Sequence, residues 1–296
     1  MDFIEILKSI LFGIVEGITE WLPVSSTGHM IILEELVHLD VTKAFWDMFL
    51  VVIQLGAILA VPVVFWDKLV PTKKKTHEEN RLIGSLWLKV IVGCLPAAVL
   101  GFLLDDFLDE VLFGDKNVRI IVVAAALIVY GVLFIVIELL NKKKQPAVLT
   151  VHDLSFKDAL IIGAYQVLSL IPGTSRSGST ILGGMLSGIS RSASAEFSFF
   201  LAIPVMLGAS GLKALKFVVE YITAPDPTLI VPDGALLPYI GYLLIGMAVG
   251  FLVSLFAIKF LMSFVKKHSF GAFGIYRIAL GILVIGYFLI TRFVVA

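Results

Sequence analysis

The sequence predicts an all-α integral membrane protein built as an inverted repeat, each half a re-entrant helix hairpin followed by three transmembrane helices. Three observations predict it. The 296 residues are 59% hydrophobic and only 16% charged, with a mean hydropathy of +1.01, whereas soluble globular domains are about 45–50% apolar. Six apolar stretches reach the roughly 20 residues needed to cross a bilayer. Two further apolar regions are each interrupted by a polar, glycine-containing turn.

In chain order, residues 3–22 carry Glu5, Lys8, Glu16 and Glu20, and residues 24–39 carry His29, Glu34, Glu35 and His38. A charge at the membrane centre costs on the order of 2.5–3.5 kcal/mol on insertion scales, so these two segments are expected to enter and leave on one side rather than span. Spans are expected at 44–66, 84–104 and 118–140. Segments 159–171 and 178–189 are too short to cross and form the second hairpin, followed by spans at 194–220, 237–262 and 270–293. Broken backbone at membrane depth is tolerated only where protein buries it or water reaches it.

Lysine and arginine placement orients the chain. Loops 67–83 and 141–157 and the turn holding Lys266 and Lys267 are basic, loop 105–117 is acidic, and 221–236 has no lysine or arginine. With the basic loops in the cytoplasm, the first hairpin enters from outside and the second from inside. The halves also resemble each other. "PVSS" at 23–26 matches "PGTS" at 172–175, and "GFL" at 101–103 recurs at 250–252, both at an offset of 149. The chain is therefore read as one membrane domain, 1–296, with repeats at about 1–145 and 146–296. An odd number of spans per repeat inverts the second copy, an architecture that places a site where broken helices meet. Gly184-x-x-x-Gly188 and Gly246-x-x-x-Gly250 suit close helix packing.

Net charge is zero, so no nucleic-acid partner is expected. The single cysteine, Cys94, excludes an internal disulfide and any paired-cysteine metal motif. The start, Met1-Asp2-Phe3, lacks a basic region or small-residue cleavage site, so no cleavable leader is expected.

The hairpins hold the chemistry. Glu16 and Glu20 are four apart and share a helix face at the end of an apolar run. Two buried carboxylates repel and lose solvation, so they need a divalent metal, an arginine or a proton. Hard oxygen ligands suit Mg²⁺ or Ca²⁺. Pro23 ends that helix, and Ser25, Ser26 and Thr27 are placed to cap the next. A helix N-terminus also attracts anions, and Gly28 lets a ligand approach the backbone. His29 follows Ser26 by three residues, suited to take a proton, to give one, or to attack phosphorus itself. In the second hairpin, "PGTSRSGST" (172–180) surrounds Arg176 with Thr174, Ser175 and Ser177, a guanidinium fork matched to phosphate oxygens. Gln166 lies near the position corresponding to Glu16 if one gap is allowed. Gln54 is expected to bond a neighbouring helix, Glu196 to sit at a helix start, and Lys213 and Lys216 to snorkel.

"EGITEWLPVSSTGH" (16–29) and "PGTSRSG" (172–178) resemble the two signature stretches of the bacterial undecaprenyl-diphosphate phosphatases of the bacitracin-resistance type, and the resemblance extends over the whole chain. It implies a C55 polyprenyl diphosphate substrate, removal of the terminal phosphate to recycle the lipid carrier for cell-wall synthesis, and a site on the outer side of the cytoplasmic membrane. It carries catalytic importance to Glu16, Glu20, Ser26, His29 and Arg176, with Ser25, Thr27, Thr174, Ser175 and Ser177 in support, and a requirement for Mg²⁺ or Ca²⁺. Glu16 and Glu20 are the metal-ligand candidates, and the nucleophile is Ser26, His29 or a metal-bound water. The reading leaves room for a homodimer. The rival class is an inverted-repeat transporter or a polyprenyl-phosphate flippase, which needs binding groups but no nucleophile.

Overall fold

Without water to bond their backbone, long apolar runs must satisfy it internally. The computed structural model describes residues 1–108, 116–142 and 144–293, and among these the regular structure is helical, with no strand. The helices are α1 (Phe3–Thr19), α2 (Ser26–Leu36), α3 (Lys43–Val52), α4 (Gln54–Val64), α5 (Trp66–Leu69), α6 (His77–Leu108), α7 (Lys116–Asn141), α8 (Phe156–Gln166), α9 (Arg176–Leu186), α10 (Arg191–Thr223), α11 (Leu236–Lys267) and α12 (Gly271–Phe293). The acidic connection expected at 105–117 falls largely outside the described residues, as does Lys143 of the second basic loop.

Six segments are long and apolar enough to cross a membrane: Lys43–Val64, His77–Leu104, Asn117–Asn141, Arg191–Thr223, Leu236–Lys267 and Gly271–Ile290. Each overlaps the stretch predicted for it. The first is not one continuous helix, because α3 and α4 meet at Ile53. There the Gly56 N–H bonds the Ile53 carbonyl, a three-residue step that tightens the turn. Gln54, expected to reach a neighbouring helix, instead donates to Leu50 O at 3.4 Å, one turn back on its own segment.

The two signature stretches sit between helix pairs, α1–α2 and α8–α9, the latter entered through a 3₁₀ turn at Val167–Leu170. Both pairs are built alike. Ser25 and Ser175 are the N-caps of α2 and α9, and their hydroxyls accept from Gly28 N at 3.2 Å and Gly178 N at 3.1 Å. Both caps have positive φ, 74° and 71°, a left-handed conformation that costs on the order of 1 kcal/mol for a residue with a Cβ. The caps are 175 − 25 = 150 residues apart, not the 149 that aligning the prolines implies. At the corrected offset Ser26 corresponds to Arg176, Gly28 to Gly178, Gly13 to Gly163, and Glu16 to Gln166 with no gap.

Packing crosses between the halves. α1 packs on α11 and α8 on α6; α4 also packs on α11 and α10 on α6, while α7 lies along α12. Missing side chains permit the closest approaches. A Cβ on Gly13 would sit 2.5 Å from Gly246 O, one on Gly17 2.7 Å from Gly250 O, and one on Gly163 would strike the Gly93 main chain. The expected close-packing role of Gly246 and Gly250 is thus played against α1. The largest apolar cluster gathers Trp21, Ile181, Leu182, Phe197, Phe199 and Phe200 around the second pair. It makes a rigid seat for the loops.

Candidate active site

α1 ends by presenting Glu16 and Glu20, one turn apart, toward the second loop. Arg176, the first residue of α9, donates from Nη2 to Glu20 Oε1 at 2.9 Å, and the two side chains are only 10% and 9% exposed. The other Glu20 oxygen, Oε2, accepts from Ser26 Oγ at 2.7 Å. One carboxylate therefore joins a hydroxyl from the first loop to a guanidinium from the second, across 156 residues of chain. Arg176 is held from behind: Nη1 donates to Ser198 O at 2.7 Å, and the guanidinium lies 5.9 Å from the Trp21 ring. Ser198 Oγ in turn accepts from Thr180 Oγ1 at 2.7 Å. Its rotamer is set before any substrate arrives.

Glu16 lies beside this group, 1% exposed, and feels the charges of Glu20 and Arg176. Among the described residues no N–H or hydroxyl bonds either of its carboxylate oxygens, and its polar neighbour is the Glu20 carboxyl. Gln166, its counterpart in the second half, is equally buried and its amide atoms are equally unpartnered. A buried carboxylate without a donor is costly unless a cation or proton joins it. A proton shared with Glu20 or a hard divalent cation would each meet that cost at Glu16, whereas the two Glu20 oxygens are engaged. Among the described residues no cluster of three or more His, Cys, Asp or Glu side chains is placed to hold a metal.

The supporting residues divide. Ser25 and Ser175 cap their helices, and Ser177 Oγ lies 3.1 Å from Ser175 Oγ and 3.4 Å from Glu20 O, tying the loops together. Thr174 is buried, Gly28 is buried under the α7 side chains Val123 and Leu127, and Thr27 is exposed. His29 does not bond Ser26. Its Nδ1 meets Ser25 O at 2.7 Å, and because a carbonyl only accepts, Nδ1 carries the proton. In the neutral ring Nε2 then accepts from the Tyr276 hydroxyl at 2.6 Å, with the two rings stacked. Of the weaker candidates, Glu196 accepts from Lys68 Nζ at 2.6 Å and stands apart from the cluster.

Sequence reasoning missed Arg277. It is fully buried in α12 and donates to Pro23 O at 3.2 Å, Gly173 O at 2.9 Å and Thr174 O at 3.1 Å, binding both loops to one side chain. Its guanidinium also lies 5.5 Å from the Tyr130 ring. A signal existed, since a lone arginine inside an apolar span is a functional-site candidate on cost alone. Tyr276 and Ser198 had none, because ordinary span residues gain their meaning only from what packs beside them.

Comparison with known proteins identifies the family over nearly the whole chain. The family described as "Bacitracin resistance protein BacA" matches residues 9–283. The chain is 55% identical over 288 residues to an undecaprenyl-diphosphatase of Enterococcus faecalis, covering 96% of this chain and 98% of the relative. It is 51% identical over 290 residues to an undecaprenyl-diphosphatase of Acetivibrio thermocellus (98% and 100% covered). It is 48% identical over 296 residues to one of Lachnoclostridium phytofermentans (99% and 100% covered). With a match of this extent and relatives of this length, the chain belongs to the bacitracin resistance protein BacA family.

Proposed function

We propose that the chain is an undecaprenyl-diphosphate phosphatase: it hydrolyses the C55 diphosphate to the monophosphate and inorganic phosphate, returning the lipid carrier to cell-wall synthesis and conferring bacitracin resistance. The observation that carries the reading is the Ser26–Glu20–Arg176 chain, with 2.7 Å from hydroxyl to carboxylate and 2.9 Å from guanidinium to the same carboxylate. The identity to enzymes named for this reaction supports it.

In this reading Ser26 Oγ attacks the terminal phosphorus while its proton passes to Glu20. The bond from that phosphorus to the bridging oxygen breaks, and polyprenyl monophosphate leaves. Water then cleaves the phosphoserine, releasing phosphate and restoring the hydroxyl. Phosphoryl transfer depends mainly on positioning and charge neutralisation. Arg176, with Nη1 and Nη2 held by Ser198 and Glu20, supplies a fixed positive charge beside the phosphate oxygens. The free N–H groups at the start of α2 and α9 face the same loops and favour negative charge. A divalent cation, Mg²⁺ or Ca²⁺, held by Glu16 would neutralise phosphate charge when bound. Hydrogen bonds to Ser25 O and Tyr276 direct His29 away from Ser26, so the serine proton goes to Glu20 and His29 takes a supporting role.

The same reading makes α1–α2 and α8–α9 re-entrant pairs of two inverted repeats, about 1–145 and 146–296. The exchange of packing between halves and the shared 150-residue spacing of the caps support it. It places the protein in the bacterial inner membrane with its site toward the outer side, and it admits a homodimer. A carrier needs no polarised hydroxyl, so the Ser26–Glu20 bond favours the hydrolase over a transporter or flippase. The test is phosphate release from a C55 or C15 diphosphate by purified protein, with and without EDTA, beside Ser26→Ala. Full release by Ser26→Ala would remove the serine from the chemistry. No release from wild type in the presence of metal would remove the activity.

A further inference from the structure

We infer that a second phosphate-binding site lies at the far end of α9 from the candidate active site, and that its ligand is the headgroup of an anionic membrane lipid. A cavity of about 630 Å³ opens there between the end of α7, the segment after it, the α9–α10 turn and the end of α11. This is within the roughly 300–1,000 Å³ of small-molecule sites. Lys142, Lys144, Arg191 and Lys266 line it from three separate segments, and among the described residues no acidic side chain does. Arg191 is neutralised by Glu138, which it meets through Nε at 2.8 Å and through Nη2. Glu138 also accepts from Phe270 N at 2.8 Å. Among the described residues Lys142, Lys144 and Lys266 have no carboxylate partner, so three like charges converge on one concavity. The three exposed lysines, at or just past the ends of α7 and α11, give this concavity a positive potential that favours an anion.

Two carbonyls near the end of α9 are taken: Met185 O accepts from Asn141 Nδ2 at 3.1 Å and from Gly188 N at 3.2 Å, and Gly184 O from Ile189 N at 3.0 Å. Ser192 in the first turn of α10 and the Gln145 amide add neutral polar groups. The apolar surface next to the cavity favours a lipid over free phosphate. Leu139, Leu140 and Leu186 beside the cavity are 67%, 59% and 48% exposed, a surface suited to acyl chains. Basic pockets between membrane helices take lipid headgroups in this way.

The cavity is not an extension of the active site. Tyr130, beside Arg277, is eleven residues of α7 from Asn141, about 16 Å at helical rise. α9 itself runs from Arg176 at one site to Leu186 at the other.

The test uses the full chain in detergent and native mass spectrometry with phosphatidylglycerol or phosphatidylcholine as probe. K142Q/K144Q/K266Q should weaken phosphatidylglycerol retention roughly a hundredfold, about a factor of five for each basic side chain. The matched control K73Q/K74Q/K267Q should leave it unchanged, and both triples should keep hydrolysing a C15 diphosphate, which reports the fold. Equal retention by wild type and the first triple would overturn the site. Equal loss in both triples would reduce it to diffuse surface charge and overturn it as well. Displacement of phosphatidylglycerol by equimolar inorganic phosphate would overturn the lipid as its ligand.

Discussion

Arg277→Met should loosen both signature loops at once. The native side chain, fully buried in α12, donates to the Pro23, Gly173 and Thr174 carbonyls at 3.2, 2.9 and 3.1 Å. A buried acceptor left unpaired costs about 1–3 kcal/mol, so three of them sum to about 3–9 kcal/mol. Neighbouring losses are not additive, and methionine removes the desolvation cost of a cation that faces carbonyls rather than a carboxylate. The net effect therefore falls near the low end, about 3 kcal/mol. Part of it appears as a lower unfolding midpoint in detergent. The part that misplaces Ser26 against Arg176 appears as a fall in kcat/KM of up to roughly a hundredfold, at about 1.4 kcal/mol per factor of ten. Arg277→Lys keeps the charge but not the fork, so it should lie between wild type and Arg277→Met. The assay is steady-state phosphate release from a C15 diphosphate beside thermal unfolding of the same preparation. Wild-type kcat/KM together with a wild-type midpoint in Arg277→Met would refute the reasoning.

Three further outcomes follow from the geometry. Glu16→Gln keeps the shape of the buried side chain and removes its charge, so the Mg²⁺ needed for half-maximal phosphate release should rise roughly tenfold or more, about 1.4 kcal/mol; an unchanged metal titration would exclude Glu16 as a ligand. Tyr276→Phe deletes the 2.6 Å bond to His29 Nε2, worth about 0.5–1.5 kcal/mol, and should slow phosphate release about two- to tenfold; an unaltered rate would show that the ring stack alone orients the imidazole. Gly163→Leu places a side chain against the Gly93 main chain, whereas a Cβ on Gly84 of α6 meets nothing within 4 Å. Gly163→Leu should lower the unfolding midpoint and Gly84→Leu should not, since backbone cannot move aside as a side chain can; equal midpoints would place α8 and α6 farther apart than described.

Much of the site was legible because its members are expensive. Glu16, Glu20 and Arg176 sit in apolar surroundings where an ionisable group must have a partner, and the structure joins Glu20 to Arg176 and Ser26 as that cost requires. The division of labour within the site was not legible. Spacing alone set His29 three residues from Ser26, one helical turn, yet the Ser25 carbonyl and Tyr276 hold the ring elsewhere. Likewise the matching prolines at 23 and 172 suggested one register between the halves, and the caps at Ser25 and Ser175 reveal another, in which the serine hydroxyl and the guanidinium occupy equivalent positions. Short motifs align by residue type, whereas helix starts align by backbone conformation.

Composition and apolar run length were enough to dictate the helical class, the six spans and the two polar interruptions, because each follows from the local cost of placing backbone and charge in hydrocarbon. The pairing of Glu20 with Arg176, the capture of both loops by Arg277 and the meeting of His29 with Tyr276 were settled only by helix packing. These contacts join residues more than a hundred positions apart, at distances set by which helices lie close enough to touch. No local pattern in the chain encodes that.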